Sequence, residues 1–354
     1  MDYKKIDSEL VSRIKAKNIV SFISNYLKLC GETTLVEMLI RFNLWGKDTI
    51  RILDFLRQNK IIIVNNSKIR LSSSINKNIN SNILEKYYYL VDWSDITKVN
   101  SNINTTLINH FKLLTKNRPQ VDTKLDQYYC TPETNNKRLN LVTDAYNLSQ
   151  KICFLGDDDL TSIFFALTKK HSITVYEIDK RLVKFIKNIN KKSQLNININ
   201  EHDYSKEVSL KKFDIIFSDP CATLEAAELV LLRAKKIAHS KTNFILSWAE
   251  FVWDPTYYSK IKNIFEKTGW VLRKKYLNFN EYENECLLKY LTKNDWAAIK
   301  RLGSSRQLIL NSPPIQKYGV YVLENGSETN IQWNKKKNIY LDDNQIKKIK
   351  GMKI

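Results

Sequence analysis

The sequence predicts an α/β protein in which a Rossmann-like, doubly wound catalytic domain follows a small winged-helix-like α+β domain. Three observations lead there. From Lys151 onward, continuous apolar runs of strand length alternate with amphipathic segments of helix length, the pattern of a parallel sheet covered on both faces. Ahead of that region, residues 19–72 read as three helices and a hairpin, the order of a helix-turn-helix relative with a wing. The chain has 354 residues, 43% of them hydrophobic, enough for about two domains of roughly 100 to 200 residues each.

The first helix is carried by IVSFISNYLKL, the second starts near Thr33 and Thr34 with apolar Leu35, Met38 and Leu39, and the third is DTIRILDFLRQ. In KIIIVNNSKIRLS, two β-branched runs flank Asn65, Asn66 and Ser67, which suit a short turn. These elements define a front domain over 1–75. Residues 76–118, rich in Ser, Asn and Lys around the aromatic patch EKYYYLVDW, read as a linker region carrying some structure. The catalytic domain is expected over 119–326. Its strand-like runs are KICFLG, SITVYEID, ININ, FDIIFSDP, TNFILSW and WVLRKKYL. Between them lie the helix-like SIFFALTKK, RLVKFIKNINKK, EAAELVLLRAKKIA and YSKIKNIFEKTG. Residues 327–354 read as a basic, polar tail.

Composition narrows the setting. Lys and Arg number 57 against 37 Asp and Glu, a net charge of +20, which favours anionic partners at long range. That charge is peripheral: Asp126 to Asp254 holds 17 acidic and 18 basic residues, so the catalytic region is nearly neutral. No stretch approaches ~18 uninterrupted apolar residues, and Met1 to Lys17 contains no apolar leader core, so neither a membrane span nor secretion is indicated. The five cysteines stand far apart without CxxC or zinc spacing, which points to reduced thiols in a cytoplasmic protein and to no metal site.

In a doubly wound sheet, ligands sit at the carboxyl ends of the strands. The first strand ends in Gly156, Asp157, Asp158, Asp159, where a dinucleotide fold usually has a Gly-rich turn. Three carboxylates there disfavour a pyrophosphate and prefer a cationic ligand. The second strand ends in Glu177-Ile178-Asp179, about 20 residues on, where a ribose diol is commonly gripped. Asp203, after the third strand, is placed to meet an adenine. FDIIFSDPC adds Asp219 and Pro220 at the same edge of the sheet. Adenosine with a positive tail is the implied ligand. Decarboxylated S-adenosylmethionine fits better than S-adenosylmethionine, because a ligand carboxylate ~4 Å from a protein one costs about 4 kcal/mol at an effective dielectric of 20. Capping of the following helix accounts for one of the three Asp, Asp157, but not for the convergence of Glu177 and Asp219.

With these residues in view, the sequence resembles the branched-chain polyamine synthases, the N4-bis(aminopropyl)spermidine synthases. LDQYYCTPET (Leu125–Thr134), LGDDDLTS (Leu155–Ser162) and FSDPCATLEA (Phe217–Ala226) match that family's elements in order and spacing, and the resemblance is firm over Asp126 to Trp253. It implies an aminopropyltransferase and a homodimer. The implied donor is decarboxylated S-adenosylmethionine, and the acceptor a linear, spermidine-like polyamine, alkylated at N4 in the family's best-known activity. The central Asp of the motif, Asp158, is implied to be catalytic. Asp157, Asp159, Asp219 and Asp126 would hold the acceptor's ammonium groups, and Glu177 the ribose. Thr131 and Glu133 would order the acceptor side, and Trp248 and Trp253 would supply flat walls. One departure is Cys221, where the family has a second Pro. The competing reading, from the basic periphery, the winged-helix-like front and the SDPC turn, is an S-adenosylmethionine-dependent methyltransferase or binding protein acting on nucleic acid.

Overall fold

The computed structural model describes residues 23–24, 26–28, 30–42, 46–73, 102–145, 148–206, 211–248, 255–315 and 317–326. In the front part, β1 (Glu32–Thr33), α1 (Leu35–Phe42), α2 (Gly46–Gln58), β2 (Ile62–Asn65) and β3 (Lys68–Leu71) build a three-stranded antiparallel sheet of order β1-β3-β2 beside the helices. The hairpin turns where its composition demands: Asn66 and Ser67 both take the left-handed conformation, φ 47° and 63°. Leu35, Met38, Leu39, Ile50, Leu53 and Leu56 are buried in one cluster with Ile62 and Ile69.

That cluster does not close on itself. It continues into Leu287, Ala298, Ile299 and Ile309 of α9 (Asn284–Lys289), α10 (Lys293–Arg301) and α11 (Arg306–Leu310), and into Leu302 just after α10, a stretch that the sequence pattern places in the catalytic domain. Two ion pairs seal the junction, Arg51 Nε to Asp295 at 2.8 Å and Arg301 Nη2 to Asp54 at 2.5 Å. The stretch read as linker also ends in order: α3 (Thr105–Thr115), capped by the Asn104 side chain, buries Ile108 and Phe111 against the large sheet's core.

The large sheet has seven strands: β4 (Lys151–Leu155), β5 (Ser172–Glu177), β6 (Ile197–Glu201), β7 (Phe213–Ser218), β8 (Ala238–Trp248), β9 (Trp270–Glu281) and β10 (Lys317–Asn325), in the order β6-β5-β4-β7-β8-β10-β9. Each apolar run named from the sequence contains a strand, and each intervening segment contributes a helix, although SIFFALTKK is helical only as far as Ala166: α5 (Thr161–Ala166), α6 (Lys180–Ser193), α7 (Leu224–Lys236) and α8 (Pro255–Lys267). Alternation within β4 shows why both faces are apolar. Ile152 and Phe154 pack with α3, α5, α6 and α4 (Pro132–Ala145), whereas Cys153 and Leu155 pack with α7 and α8. The sheet is not wholly parallel. β10 runs antiparallel between β8 and β9, because the chain leaves β9, crosses the α9–α11 helices and returns beside it. The order reverses at β4 and β7, so the crevice beyond those two strands is where a ligand is expected.

Candidate active site

The turn after β4 is bracketed by two left-handed residues, Gly156 at φ 78° and Leu160 at φ 57°. Glycine takes that conformation freely, whereas for Leu160 it is a strain held by burial at the start of α5. The Gly156 amide donates to the Tyr176 carbonyl at 2.9 Å, pinning the turn to the end of β5. Between the brackets the three aspartates go three ways. Asp157 is buried and turned inward: Ser162 donates to it through its amide at 3.1 Å and its hydroxyl at 2.5 Å, so this residue caps α5. Asp159 is also buried, accepting from the Cys130 amide at 2.5 Å and from Arg138 Nη1 at 2.6 Å. Asp158 is half-buried and, among the described residues, meets only backbone amides, those of Tyr128 at 3.3 Å and Asp159 at 3.1 Å. Burial, with Asp159, Asp219 and Glu177 close by, pushes the Asp158 carboxyl well above the ordinary carboxylate range.

The neighbouring strand ends converge as expected. Glu177 accepts from the Asp157 and Asp179 amides, both at 2.8 Å, so it joins the first and second strand tips; burial raises its carboxyl. Asp219 accepts from Arg138 Nη2 at 2.8 Å and from the Tyr282 hydroxyl at 2.6 Å, and burial still lifts it to about 6. Asp126, left-handed at φ 55°, lies close enough to Asp219 to feel its charge; burial, aided by Asp219, pushes it up to about 7. Pro220 and Cys221 are buried beside them, and burial likewise raises the Cys221 thiol, which suits packing rather than a nucleophile.

Other residues singled out by the motifs sit elsewhere. Glu133 does not join the carboxylates. It stands at the start of α4 in an exposed ion pair with Lys112 at 2.9 Å, lining a separate cavity of about 480 Å³. Thr131 bonds to Thr134 at the same helix start. Asp179 caps α6 and is held by Arg181 Nη2 at 2.5 Å and Gln127 at 3.0 Å; although burial opposes it, those bonds keep its carboxyl below the ordinary value. Asp203 accepts from the Ser205 amide at 2.8 Å in the loop after β6. Trp248 is a core residue on the α7–α8 face rather than a pocket wall, and Trp253 lies outside the described residues.

Sequence reading misses the residues that complete the floor. Arg138, on α4, is 5% exposed at its side chain and donates to Asp159, Thr161, Asp219, Ser247 and Asn280. Beside Asp126 and Asp219 stands a tyrosine group: Tyr128 packs edge-on to Tyr282 at 5.6 Å and stacks on Tyr290 at 5.7 Å, and Tyr282 meets Tyr318 at 4.9 Å. These rings, rather than Trp248, stand beside the two carboxylates, and the Tyr128 hydroxyl is buried without a hydrogen-bond partner among the described residues. The only local signal for Arg138 is the run of polar residues Thr134, Asn135 and Arg138 on one helix face. Among the described residues, no group of three or more His, Cys, Asp or Glu is arranged to hold a metal.

A mostly parallel seven-stranded sheet, one reversed strand next to its end and a ligand crevice at the first strand's tip define the methyltransferase-like Rossmann class. Within that class the chain belongs to the branched-chain polyamine synthase family: the model of the branched-chain polyamine synthase A C-terminal domain matches residues 106–347. An uncharacterized protein of Methanocaldococcus jannaschii is 33% identical over 191 residues, 52% of this chain and 48% of that protein. The N(4)-bis(aminopropyl)spermidine synthase of Thermococcus kodakarensis is 40% identical over 126 residues, 34% of this chain and 36% of the relative. The chain thus spans about half the length of the first of these relatives and about a third of the second. The solved branched-chain polyamine synthase of Thermus thermophilus, in complex with N4-aminopropylspermidine and 5'-methylthioadenosine, superposes with a TM-score of 0.69. It shares 17% identity, with 96% of this chain and 95% of that one covered.

Proposed function

We propose that this chain is an aminopropyltransferase that moves the aminopropyl group of decarboxylated S-adenosylmethionine onto an amine of a spermidine-like polyamine, at N4 to give a branched product, releasing 5'-methylthioadenosine. One observation carries the reading. Asp158, at the tip of the first strand, has no cationic side chain paired with it among the described residues, and its carboxyl holds a proton more readily than an ordinary one. Such a group suits the one proton transfer the reaction needs. A neutral amine nitrogen attacks the methylene beside the sulfonium; the carbon–nitrogen bond forms, the carbon–sulfur bond breaks, and its electron pair goes to sulfur. The nitrogen's surplus proton passes to Asp158. The leaving group is already good, so the protein's remaining work is alignment.

The other site residues divide that work. Glu177 and Asp179 would face the ribose and Asp203 the adenine, with Gly156 and Pro220 letting the nucleoside approach the strand tips. Asp126 and Asp219, beside the tyrosine wall, would hold the acceptor's remaining ammonium groups, and a cation over Tyr rings gains further. Asp157 and Asp159 hold the turn in shape, the first through Ser162 and the second through Arg138 and the Cys130 amide. A homodimer in a reducing cytoplasm is part of the same reading; no described helix is long and apolar enough to cross a membrane.

Incubating the protein with decarboxylated S-adenosylmethionine and spermidine should release methylthioadenosine with an aminopropylated product. No product with any linear polyamine, or tighter calorimetric binding of S-adenosylmethionine with its carboxylate intact, overturns the reading.

A further inference from the structure

Arg138 is a buried cation set into the floor of an acidic pocket whose proposed guests are themselves cations, an arrangement that opposes binding unless it serves another end. Its planar fork is fully committed: Nε to Asn280 at 3.0 Å, Nη1 to Asp159 at 2.6 Å and Thr161 at 3.0 Å, Nη2 to Asp219 at 2.8 Å and Ser247 at 3.2 Å. Those partners come from the tips of β4, β7, β8 and β9 and the start of α5, so one side chain ties together the strand ends that form the crevice. Through Asp159 it reaches further. The other Asp159 oxygen holds the Cys130 amide at 2.5 Å, and two residues earlier the Tyr128 amide holds Asp158.

We infer that Arg138 is a positioning residue whose guanidinium holds Asp159 and Asp219 in place, so that Asp158, alone of the three without a cationic partner among the described residues, is left to exchange a proton with the acceptor amine. Without it, three carboxylates share one desolvated crevice with no buried counter-charge, and like charges in such a site cannot all stay ionised. The groups facing this set among the described residues include Asp157 and Glu177 from the strand tips, Asp126, Tyr128, Tyr129 and Cys130 from the segment before α4, Cys221 after β7, and Tyr282, Glu283, Cys286 and Tyr290 from the segment after β9. Arg138 is the one cation directly bonded to the set among the described residues. Lys would not replace it, because an ammonium presents a point charge where two carboxylates on different strands need a fork.

The inference rests on the proposed reaction only for its activity arm. With aspartate labelled at its side-chain carboxyl carbon, the wild type, Arg138→Gln, Arg138→Lys and the double variant Arg138→Gln with Asp159→Asn are titrated by NMR, and methylthioadenosine release is followed against pH. In Arg138→Gln a carboxyl titration midpoint and the acid limb of the rate profile should both move upward by about 1 to 3 pH units, the range for losing one adjacent opposite charge. Arg138→Lys should fall between, and the double variant, which removes one charge of each sign, should return toward the wild type. Midpoints and acid limb unchanged in folded Arg138→Gln overturn the inference, since a merely structural role lowers the melting temperature without moving either. Should Arg138→Gln not fold, Arg138→Lys carries the test, and wild-type midpoints there overturn it. Moved midpoints in a protein that releases no methylthioadenosine from any donor and polyamine would instead sink the proposed reaction and leave the role of Arg138 standing.

Discussion

Two sets of buried carboxylates in this molecule are treated in opposite ways. At the junction of the front part with α9–α11, Asp54 and Asp295 are 6% and 2% exposed, and each comes with cations: Arg57 and Arg301 for the first, Arg51 for the second. Burial opposes their ionisation, yet those partners hold both carboxyls below the ordinary range. In the loop before α4 and at the tip of β4, Asp126 and Asp158 are half-buried and have no such partner among the described residues, and burial drives both upward. A carboxylate that only holds a fold together is supplied with its counter-ion; one that is not so supplied costs stability and is kept for another reason. In the same junction the helix arginines Arg51 and Arg57 are engaged in ion pairs, with Asp295 and Asp54.

The sharpest way to break the contrast is Asp158→Asn. Turnover of donor and polyamine should fall about 10²- to 10⁴-fold, the usual worth of a positioned proton acceptor, with donor binding changed little. Its melting temperature should equal or exceed that of the wild type, since an amide replaces a carboxyl deprived of water and counter-ion. Unchanged turnover removes the role, and a loss of stability places Asp158 with Asp54 and Asp295 instead.

A smaller effect is read from pH. A carboxyl raised in the folded state binds its proton more tightly there than in the unfolded chain, so its contribution is full below the unfolded value near 4 and is lost as pH rises through the folded one. For Asp219 and Asp126 the folded values are about 6 and about 7. Asp54 and Asp295, held low, act in the other sense and lose their contribution only as pH falls below the unfolded carboxylate range. Without ligand the melting temperature should therefore climb as pH is lowered from about 7.5 to about 5, then fall below about 4. Asp126→Asn together with Asp219→Asn should flatten the upper slope alone. A wild-type profile flat across that upper range contradicts the raised set.

What the order of amino acids makes legible divides along the same line. The apolar runs and the acids at their ends are local signals, a strand followed by its own turn, and β4 to β9 with Asp158, Glu177 and Asp219 stand where that pattern puts them. What depends on distant segments is not legible. Arg138 meets acceptors as far along the chain as Asn280, 142 residues away. β10 takes its direction from a crossover rather than its composition, and the front part completes its core with helices from the far end of the chain, as Arg301 and Asp54 show at a separation of 247 residues. Nothing in the spacing of a sequence distinguishes an Arg at a helix surface from one aimed at a strand tip.

The weakest contrast concerns Glu133, singled out by the same motif that holds Asp126 yet paired with Lys112 on the outside of α4, both side chains near half exposed. An exposed pair of this kind is worth about 0 to 1 kcal/mol and is screened by salt. Glu133→Gln should therefore shift a urea midpoint barely, leave the pH profile in place and leave turnover with spermidine within about fivefold, because the change in a rate follows from the energy lost at about 1.4 kcal/mol per factor of ten. The informative outcome is a selective rise in KM for the polyamine at unchanged kcat. That result would extend the acceptor's path over the 128–131 segment into the cavity that Glu133 shares with Arg118, Glu283 and Tyr129, and the line between the two sets of acids would need to be redrawn on the outer side of that segment.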